Sequence, residues 1–235
     1  SYRNIYLKFN SIAADKIKKI ERQTNHDVKA VEYYIRSKVN KSIHPWVHFA
    51  LTSEDVNNLS YTLMWKDALN KIYIPQLKSL LSELNLLSRK YSNSPMLSMT
   101  HGQAATPTTF GKEIKVFAKR IERQIVGINK HKLLGKFGGA TGTWSTHTVA
   151  YPNINWILFA KNYIKSLNLD PNIVTTQIEP HDSIAESYHQ LVRINSILMD
   201  LCRDFWYYIS RGILIQKKIK GEVGSSAMPH KINPI

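Results

Sequence analysis

A long helical pattern runs through DSIAESYHQLVRINSILMDLCRDFWYYISRGI, residues 182–213. Apolar side chains recur in it at alternating spacings of four and three, which is typical of the seam of a helical bundle. The seam comprises Ile184, Tyr188, Leu191, Asn195, Leu198, Cys202, Phe205 and Ile209, and beside it lie Val192, Ile194, Ile197, Leu201, Trp206 and Ile213. A helix that is apolar around so much of its circumference needs several covering partners. The stretch therefore predicts long helices packed in the centre of an oligomer.

Helical patterns also cover the N-terminal part of the chain. Residues 12–39 predict two helices separated by the polar turn Thr24–Asp27, which contains good N-cap residues. Thr52 or Ser53 is expected to begin a long helix, because acidic residues follow in the first turn and suit the positive end of the helix dipole. Pro75 is expected to bend that helix, since proline removes a backbone donor.

The remaining patterns complete an all-α prediction. Residues 114–128 and 156–167 have the periodicity of amphipathic helices, whereas residues 171–180 are expected to be irregular. The glycine-rich stretch 135–143 follows a helical pattern and lacks the GKS or GKT ending of a phosphate-binding loop, so its motif gives little support to nucleotide binding. No alternating strand pattern of note is present, and the fold class is predicted to be all-α.

Composition indicates a soluble protein of a reducing compartment, the cytoplasm. The chain has 235 residues, 43% of them hydrophobic, which is enough for a sizeable core. No apolar run approaches the length of a membrane-spanning helix, and the start at Ser1 has no signal-peptide pattern. The single cysteine, Cys202, excludes a disulfide framework. Because Cys202 lies in an apolar helical row, we expect a buried structural thiol.

The net charge is +15, from 32 basic and 17 acidic side chains. Such a balance suits solvated helical faces, a site for an anionic small molecule, or a nucleic-acid partner. The lysines are spread along the helices and accompany no recognisable nucleic-acid module, so nucleic acid is the least favoured of the three. Nine histidines invite a metal site, but the sequence has no H-E-x-x-H motif and no paired cysteines. We therefore expect neither a metal nor a cofactor.

The chain ends in GEVGSSAMPHKINPI, residues 221–235, where glycines, serines and prolines stop the helical pattern. By composition alone this is a polar surface loop. The run GSSAMPHKINP, however, resembles the signature of the fumarase/aspartase superfamily. Four further segments narrow the resemblance to the adenylosuccinate lyase family, and the resemblance extends from about Ile20 to the end. These segments are TNHDVKAVEY (24–33), TSEDVNN (52–58), THGQAATP (100–107) and TTQIEPHD (175–182).

The resemblance implies a long-helix bundle and a division into two domains. Residues 1–43 would be the C-terminal part of an N-terminal helical domain, and residues 44–235 the central bundle, truncated after the signature. It also implies a homotetramer with active sites shared between subunits, and a chain this short is not expected to catalyse alone. The reaction would be β-elimination of fumarate from succinylated purine nucleotides, namely adenylosuccinate and succinylaminoimidazole carboxamide ribotide, with no cofactor.

Elimination of fumarate needs a base that removes a C–H proton beside a carboxylate and an acid that protonates the departing nitrogen. By resemblance Ser225 is the base, and backbone N–H groups or Lys231 would stabilise its alkoxide. His101 is the matching acid, because an imidazole titrates near neutrality. Without the resemblance, each would be a polar loop residue or a structural hydrogen-bonding group.

The resemblance assigns the other site residues to substrate binding. Thr52 and Ser53 match donors to the succinyl carboxylates, and a helix N-terminus is already suited to an anion. Helix capping is an alternative role for Ser53 and for Asp27, and both roles can coexist. The full set expected to bind substrate is His26, Asp27, Thr52, Ser53, Thr100, Gln177, Lys231 and Asn233.

Two alternatives to this function remain at the level of sequence. One is another fumarate-releasing enzyme, such as an argininosuccinate lyase or a fumarase. The motif around His230 and the segment at His26 argue against it. The other is a non-catalytic basic helical assembly or nucleic-acid-binding protein, for which the charge of +15 is the main argument.

Overall fold

The computed structural model describes residues 2–217, 221, 224–228 and 230–231 of the chain. Helices dominate it, which confirms the predicted helical fold class. The helices are α1 (Tyr2–Leu7), α2 (Ser11–Thr24), α3 (Asp27–Arg36), α4 (Ser53–Ala68), α5 (Ile74–Lys90), α6 (Phe110–Lys130), α7 (Ser145–Ala150), α8 (Trp156–Ser166) and α9 (Asp182–Ser210), with a 3₁₀ helix at Lys41–Trp46 and a π-helix at Leu69–Tyr73. The strands are β1 (Pro95–Thr100), β2 (Gln103–Thr109), β3 (Leu134–Gly135) and β4 (Asp170–Pro171).

The chain divides into two compact units, each made of two stretches of sequence. The first unit comprises residues 1–72 and 132–186, and the second comprises residues 73–131 and 187–235. The domain boundary expected after residue 43 stays a prediction.

The first unit is built from short helices around an apolar cluster. Helices α2 and α3 pack together, and the left-handed Asn25 ends α2 one residue before His26 caps α3, as the polar turn predicted. Strands β3 and β4 form a short parallel pair. The buried cluster consists of Leu59, Leu133, Phe137, Trp144, Ala160, Ile164 and Leu169.

The long helix expected from Thr52 or Ser53 is interrupted just before Pro75. Helix α4 ends at Ala68, a π-helical turn occupies Leu69–Tyr73, and α5 continues from Ile74. Pro75 cannot donate to the carbonyl of Lys71, and widening the preceding turn relieves the clash of its ring with that carbonyl. The proline therefore acts on the turn N-terminal to it.

The second unit is held together by helices α5, α6 and the C-terminal part of α9. Helices α5 and α6 pack along their length. The face of α6 predicted to be apolar is buried, with Ile114 and Ile121 fully inaccessible to solvent. The buried cluster consists of Ile74, Leu77, Leu84, Phe110, Ile114, Phe117, Ala118, Ile121, Ile125, Ile128, Ile194, Ile197, Leu201 and Tyr208.

Within the second unit, helix α9 buries residues that lie beside the predicted seam. Its buried apolar residues within the second unit are Ile194, Ile197, Leu201 and Tyr208, one position away from the predicted seam. The prediction that Cys202 is buried is wrong, because this thiol lies on the exposed side of the helix. Periodicity failed here because the helix is apolar on both sides, and only the packing of α5 and α6 decides which side is covered.

A β-hairpin between α5 and α6 was not anticipated from the sequence. Strands β1 and β2 pair antiparallel from Pro95 opposite Thr109 to Thr100 opposite Gln103, with an irregularity between Leu97 and Met99. The segment carries no alternating apolar pattern because both strands are largely accessible to solvent.

In the part of the chain that the structure describes, none of the helices combines the length and the apolar character that a membrane span requires.

Candidate functional site

The start of α4 is fixed by local hydrogen bonds. Thr52 is the N-cap residue and forms a capping box with Asp55, in which the Thr52 backbone N–H donates to Asp55 Oδ2 at 2.9 Å. Ser53 is therefore the first residue inside the helix and not its cap. Since the Ser53 side chain does not serve as the cap, its half-buried hydroxyl can act elsewhere.

The start of α3 lies beside the start of α4. His26 caps α3 by accepting the Lys29 backbone N–H on Nδ1 at 3.3 Å, and its Nε2 lies 3.4 Å from Ser53 Oγ. With Nδ1 as acceptor, the neutral imidazole carries its proton on Nε2 and donates it to Ser53 Oγ. The two helix N-termini thus meet through an imidazole and a hydroxyl.

Asp27 is tied into the same arrangement. Its Oδ1 accepts the Val28 backbone N–H at 2.7 Å, and its Oδ2 accepts Asn57 Nδ2 at 3.3 Å. The hydrogen bond from Val28, followed by the one from Asn57 and the nearby His26, holds the pKa of the Asp27 carboxyl below its usual value. Asp27 is therefore anionic at neutral pH and orients α3 against α4.

The irregular segment before α9 places the Gln177 amide beside the start of α4. Gln177 Nε2 donates to Thr52 Oγ1 at 3.3 Å. Further along, His181 has a left-handed backbone conformation and lies 3.4 Å from both the Glu54 carboxylate, through Nε2, and the Glu179 carboxylate, through Nδ1. The segment thus turns towards the first turn of α4 at two points.

These contacts define a cluster, called here the Thr52 cluster, in the first unit. His26, Asp27 and Gln177 are exposed, whereas Thr52 and Ser53 are half-buried, so the cluster is open to a ligand. Hydroxyls, an amide and an imidazole provide neutral donors, and the N-terminus of α4 adds a favourable dipole for an anion. Such a group suits carboxylate binding. The cluster consists of His26, Asp27, Thr52, Ser53 and Gln177, all of which were expected to bind substrate.

His101 lies at the tip of the hairpin in the second unit. His101 and Gly102 form its two-residue turn with φ values of 53° and 71°, the left-handed pair that this tight turn requires. Thr100 pairs with Gln103 as the last residue of β1. His101 and Thr100 are both exposed, so the imidazole at this turn is accessible to solvent.

The signature segment forms a turn of its own. The Ser225 backbone N–H donates to the Lys231 carbonyl at 3.3 Å, and the Lys231 backbone N–H donates to the Met228 carbonyl at 2.9 Å. Ser225 Oγ accepts the Met228 backbone N–H at 3.2 Å, and such a donor stabilises a hydroxyl that loses its proton. Lys231 is exposed. Asn233, also expected to bind substrate, lies outside the described residues.

The structure thus collects half of the expected site residues in the Thr52 cluster. Thr100, His101, Ser225 and Lys231 belong to the second unit. Among the residues described, no hydrogen bond or ion pair joins His101 to Ser225. Their expected partnership as acid and base stays a prediction.

Several residues of the site escaped the sequence interpretation. Asn57 binds Asp27, Asp55 binds Thr52, and Glu54 lies beside His181. For Asp55 the signal existed, because threonine followed three residues later by an acid is a capping-box pattern. No sequence signal pointed to Lys136, whose side chain is buried beside Asp55.

Comparison with known proteins gives the family. A family model described as lyase matches residues 3–235. The chain is 48% identical over 232 residues to the adenylosuccinate lyase of Legionella pneumophila (strain Corby), covering 97% of this chain and 51% of that protein. It is 47% identical over 236 residues to the adenylosuccinate lyase of Escherichia coli (strain K12), covering 98% and 52%. The chain therefore spans about half the length of the curated relatives it matches.

Solved structures share the fold at lower identity. The fumarate lyase from Mesorhizobium sp. BNC1 matches with a TM-score of 0.73 and 20% identity, over 86% of this chain and 46% of that one. The beta-carboxy-cis,cis-muconate cycloisomerase from Acinetobacter calcoaceticus sp. ADP1 matches with a TM-score of 0.68 and 21% identity, over 83% and 45%. These two structures show the fold alone. The family model shows the family and confirms the resemblance to the fumarase/aspartase superfamily noted in the sequence: the chain belongs to this lyase family.

Proposed function

We propose that the protein carrying this chain is an adenylosuccinate lyase, which eliminates fumarate from adenylosuccinate to give AMP. The observation that carries the proposal is the Thr52 cluster, in which five residues from three separate segments converge on one helix N-terminus. Identity of 47–48% to adenylosuccinate lyases over nearly the whole chain supports the same substrate. By the same resemblance, succinylaminoimidazole carboxamide ribotide is a second substrate.

The Thr52 cluster binds the succinyl part of the substrate. Ser53 and Gln177 donate to a carboxylate, and the dipole of α4 favours negative charge at this end. The Gln177 amide, which donates to Thr52 Oγ1 at 3.3 Å, is on the surface and can exchange that bond for one to the substrate. Asp27 adds negative charge nearby, so its role is to orient α3 and Asn57 and not to contact the carboxylates.

Chemistry is carried by Ser225 and His101. Ser225 removes the proton from the carbon next to a carboxylate, and the resulting carbanion is stabilised by fixed donors. The backbone donor at Ser225 Oγ and the cationic Lys231 support this role. His101 protonates the departing nitrogen, for which an exposed imidazole at a hairpin turn is suited. No metal or cofactor takes part in these steps.

The acid and the base come from different subunits of a homotetramer. Helix α9 supports this arrangement, because the described residues leave a second apolar side of the helix uncovered. On this side Val192 is 60%, Met199 54% and Trp206 79% exposed. Apolar side chains in a continuous row on a long helix are typical of an interface between copies. The enzyme acts in the cytoplasm, a reducing compartment that suits its free thiol.

The test is turnover by the full-length protein. Adenylosuccinate and argininosuccinate are supplied separately, and release of fumarate is followed by ultraviolet absorbance. We expect turnover of adenylosuccinate with a kcat/KM at least about 10³ times that for argininosuccinate, as is usual when a site's buried donors lack their partners. Turnover of argininosuccinate alone would assign the other lyase activity. No turnover, with tight and salt-dependent RNA binding, would favour the non-catalytic alternative.

A further inference from the structure

The buried carboxylate of Asp55 connects the Thr52 cluster to the glycine-rich loop. Asp55 is 2% exposed and accepts hydrogen bonds from two segments, the N-cap of α4 and the glycine-rich loop. Its Oδ2 accepts the Thr52 N–H at 2.9 Å and the Gly139 N–H at 3.0 Å, and its Oδ1 accepts the Gly138 N–H at 2.9 Å. The glycine-rich loop at 138–139 is therefore tied directly to the first turn of α4.

The counter-charge to Asp55 is equally buried. Lys136 is 1% exposed, and its Nζ lies 2.8 Å from Asp55 Oδ1. The same ammonium donates to the Gly139 carbonyl and to the Gln177 carbonyl, each at 2.8 Å. All three of its protons are thus used. The backbone of Lys136 is held as well, since its N–H donates to Asn58 Oδ1 at 2.8 Å and its carbonyl accepts Asn58 Nδ2 at 3.0 Å.

The pair joins the two ends of the Thr52 cluster. Asp55 holds the backbone of Thr52, and Lys136 holds the backbone of Gln177. The side chains of Thr52 and Gln177 are in turn hydrogen-bonded to each other. Burying two charges is costly unless every hydrogen-bonding group is satisfied, and an apolar pair of similar shape is often as stable. Stability alone therefore gives a weak reason for charges at this position.

We propose that Asp55 and Lys136 form a positioning pair that sets the distance between the donors of Thr52 and Gln177 for a dicarboxylate. The inference rests on the proposed function, since it names what orients the succinyl-binding residues. Neither side chain touches the substrate. Both act through backbone groups, so a change of either side chain alters the spacing of the donors without removing any donor.

The test compares two inhibitors of the full-length enzyme, fumarate and AMP. Asp55→Asn keeps the shape of the side chain and removes its charge. We expect the Ki of fumarate to rise at least about tenfold, because a small displacement of positioned donors is expensive, while the Ki of AMP changes less than about twofold. Lys136→Met removes the other charge with little change in side-chain length. It should likewise raise the Ki of fumarate and leave the Ki of AMP nearly unchanged.

The matched control is Glu32→Gln. Glu32 is also a buried carboxylate, 3% exposed, and it is paired with Lys29 at 2.7 Å and Arg36 at 2.6 Å within α3. Its side chain is bonded to neither Thr52 nor the glycine-rich loop. We expect the control to lower the melting temperature while leaving the Ki of fumarate within about twofold of the parent value, as a change confined to local stability requires.

A double variant separates positioning from stability. Asp55→Asn combined with Lys136→Met buries no charge, so its melting temperature should recover towards that of the parent protein. Positioning predicts that its Ki for fumarate stays raised. Recovery of both quantities would overturn the proposal, and so would an equal rise in both Ki values in the single variants.

Hydrogen exchange makes the inference separable from the proposed function. We expect the backbone amides of Gly138 and Gly139 to exchange at least about tenfold faster in Asp55→Asn, because they lose their charged acceptor. This readout needs no turnover. If the parent protein does not act on adenylosuccinate, the proposed function fails while exchange still tests the pair. Unchanged exchange in these amides would overturn the positioning role by itself.

Discussion

Replacing Gly142 by alanine tests whether the glycine-rich loop controls the segment that carries Gln177. Gly142 has a φ of 75°, and an added Cβ would lie 2.3 Å from the Thr175 carbonyl oxygen and 2.6 Å from that of Thr176. Neither is the end of a flexible side chain, so the backbone next to Gln177 must move. If Gln177 binds substrate as proposed, we expect the replacement to weaken substrate binding without changing a binding residue.

The expected loss in the free energy of unfolding has two parts, and a second variant separates them. An alanine in the left-handed region costs about 1–2 kcal/mol, and forcing atoms into a packed place costs a further ~1–3 kcal/mol. Gly212 has a φ of 70° and open space around it, so Gly212→Ala measures the first part alone. We expect Gly142→Ala to lower the free energy of unfolding by about 1–3 kcal/mol more than Gly212→Ala.

The assay is thermal unfolding of the two full-length variants, followed by kinetics with adenylosuccinate. A difference of 1 kcal/mol corresponds to about 2–4 °C for a domain of this size. Gly142→Ala should also raise the KM, whereas Gly212→Ala should leave it unchanged. Equal melting temperatures for the two variants would refute the steric argument. Unequal temperatures with equal KM values would refute the link to Gln177.

Three further outcomes follow from the structure. Ile121 lies in the core of the second unit, and Ile121→Ala should lower the free energy of unfolding by about 2–5 kcal/mol because it leaves a cavity. Val126 is half-exposed on the same helix, and Val126→Ala should lower it by less than ~1 kcal/mol. Chemical denaturation measures both values. Burial lowers the pKa of His147 below 6.5, so the folded protein favours the neutral ring. The neutral ring therefore stabilises the fold fully above pH 6.5, and this stabilisation is lost as the pH falls from 6.5 through the lowered pKa. In His147→Phe, we expect the melting temperature to depend less on pH over that range. Ser225→Ala and His101→Ala should each abolish most turnover without changing the size of the assembly, and mixing them should partly restore activity if subunits share sites.

Each of these outcomes has a clear opposite. An equal loss of unfolding free energy in Ile121→Ala and Val126→Ala would contradict the burial of Ile121 in the core. An unchanged pH dependence in His147→Phe would show that this ring does not couple protonation to folding. Failure of the mixed variants to recover activity, with exchange of subunits confirmed, would contradict sites shared between subunits.

The helices were predictable because periodicity and capping are local. The turn at Thr24–Asp27, the amphipathic face of α6 and the break near Pro75 all follow from residues within a few positions of one another. The hairpin at 95–109 was missed because its strands are mostly exposed and its turn is His-Gly, not the more usual Asn-Gly. The exposure of Cys202 was not predicted because local periodicity does not identify which side of α9 the neighbouring helices cover.

The site was predictable only in part. The signature and its companion segments point to the Thr52 cluster by resemblance, and capping rules explain why Thr52 and His26 begin helices. The buried pair of Asp55 and Lys136 could not be found this way, because the carboxylate binds a loop 83 positions later in the chain. A lysine in a strongly basic sequence is expected to be solvated, and nothing local marks this one as buried.

The central claim is that the Thr52 cluster binds the succinyl end of the substrate. The most direct measurement is a crystal structure of full-length Ser225→Ala with adenylosuccinate bound, since this variant should bind substrate without converting it. We predict succinyl carboxylate oxygens within hydrogen-bonding distance of Ser53 Oγ and Gln177 Nε2, and the departing nitrogen facing His101 of another subunit. A succinyl group bound away from the start of α4, with these side chains still bonded to one another, would contradict the account.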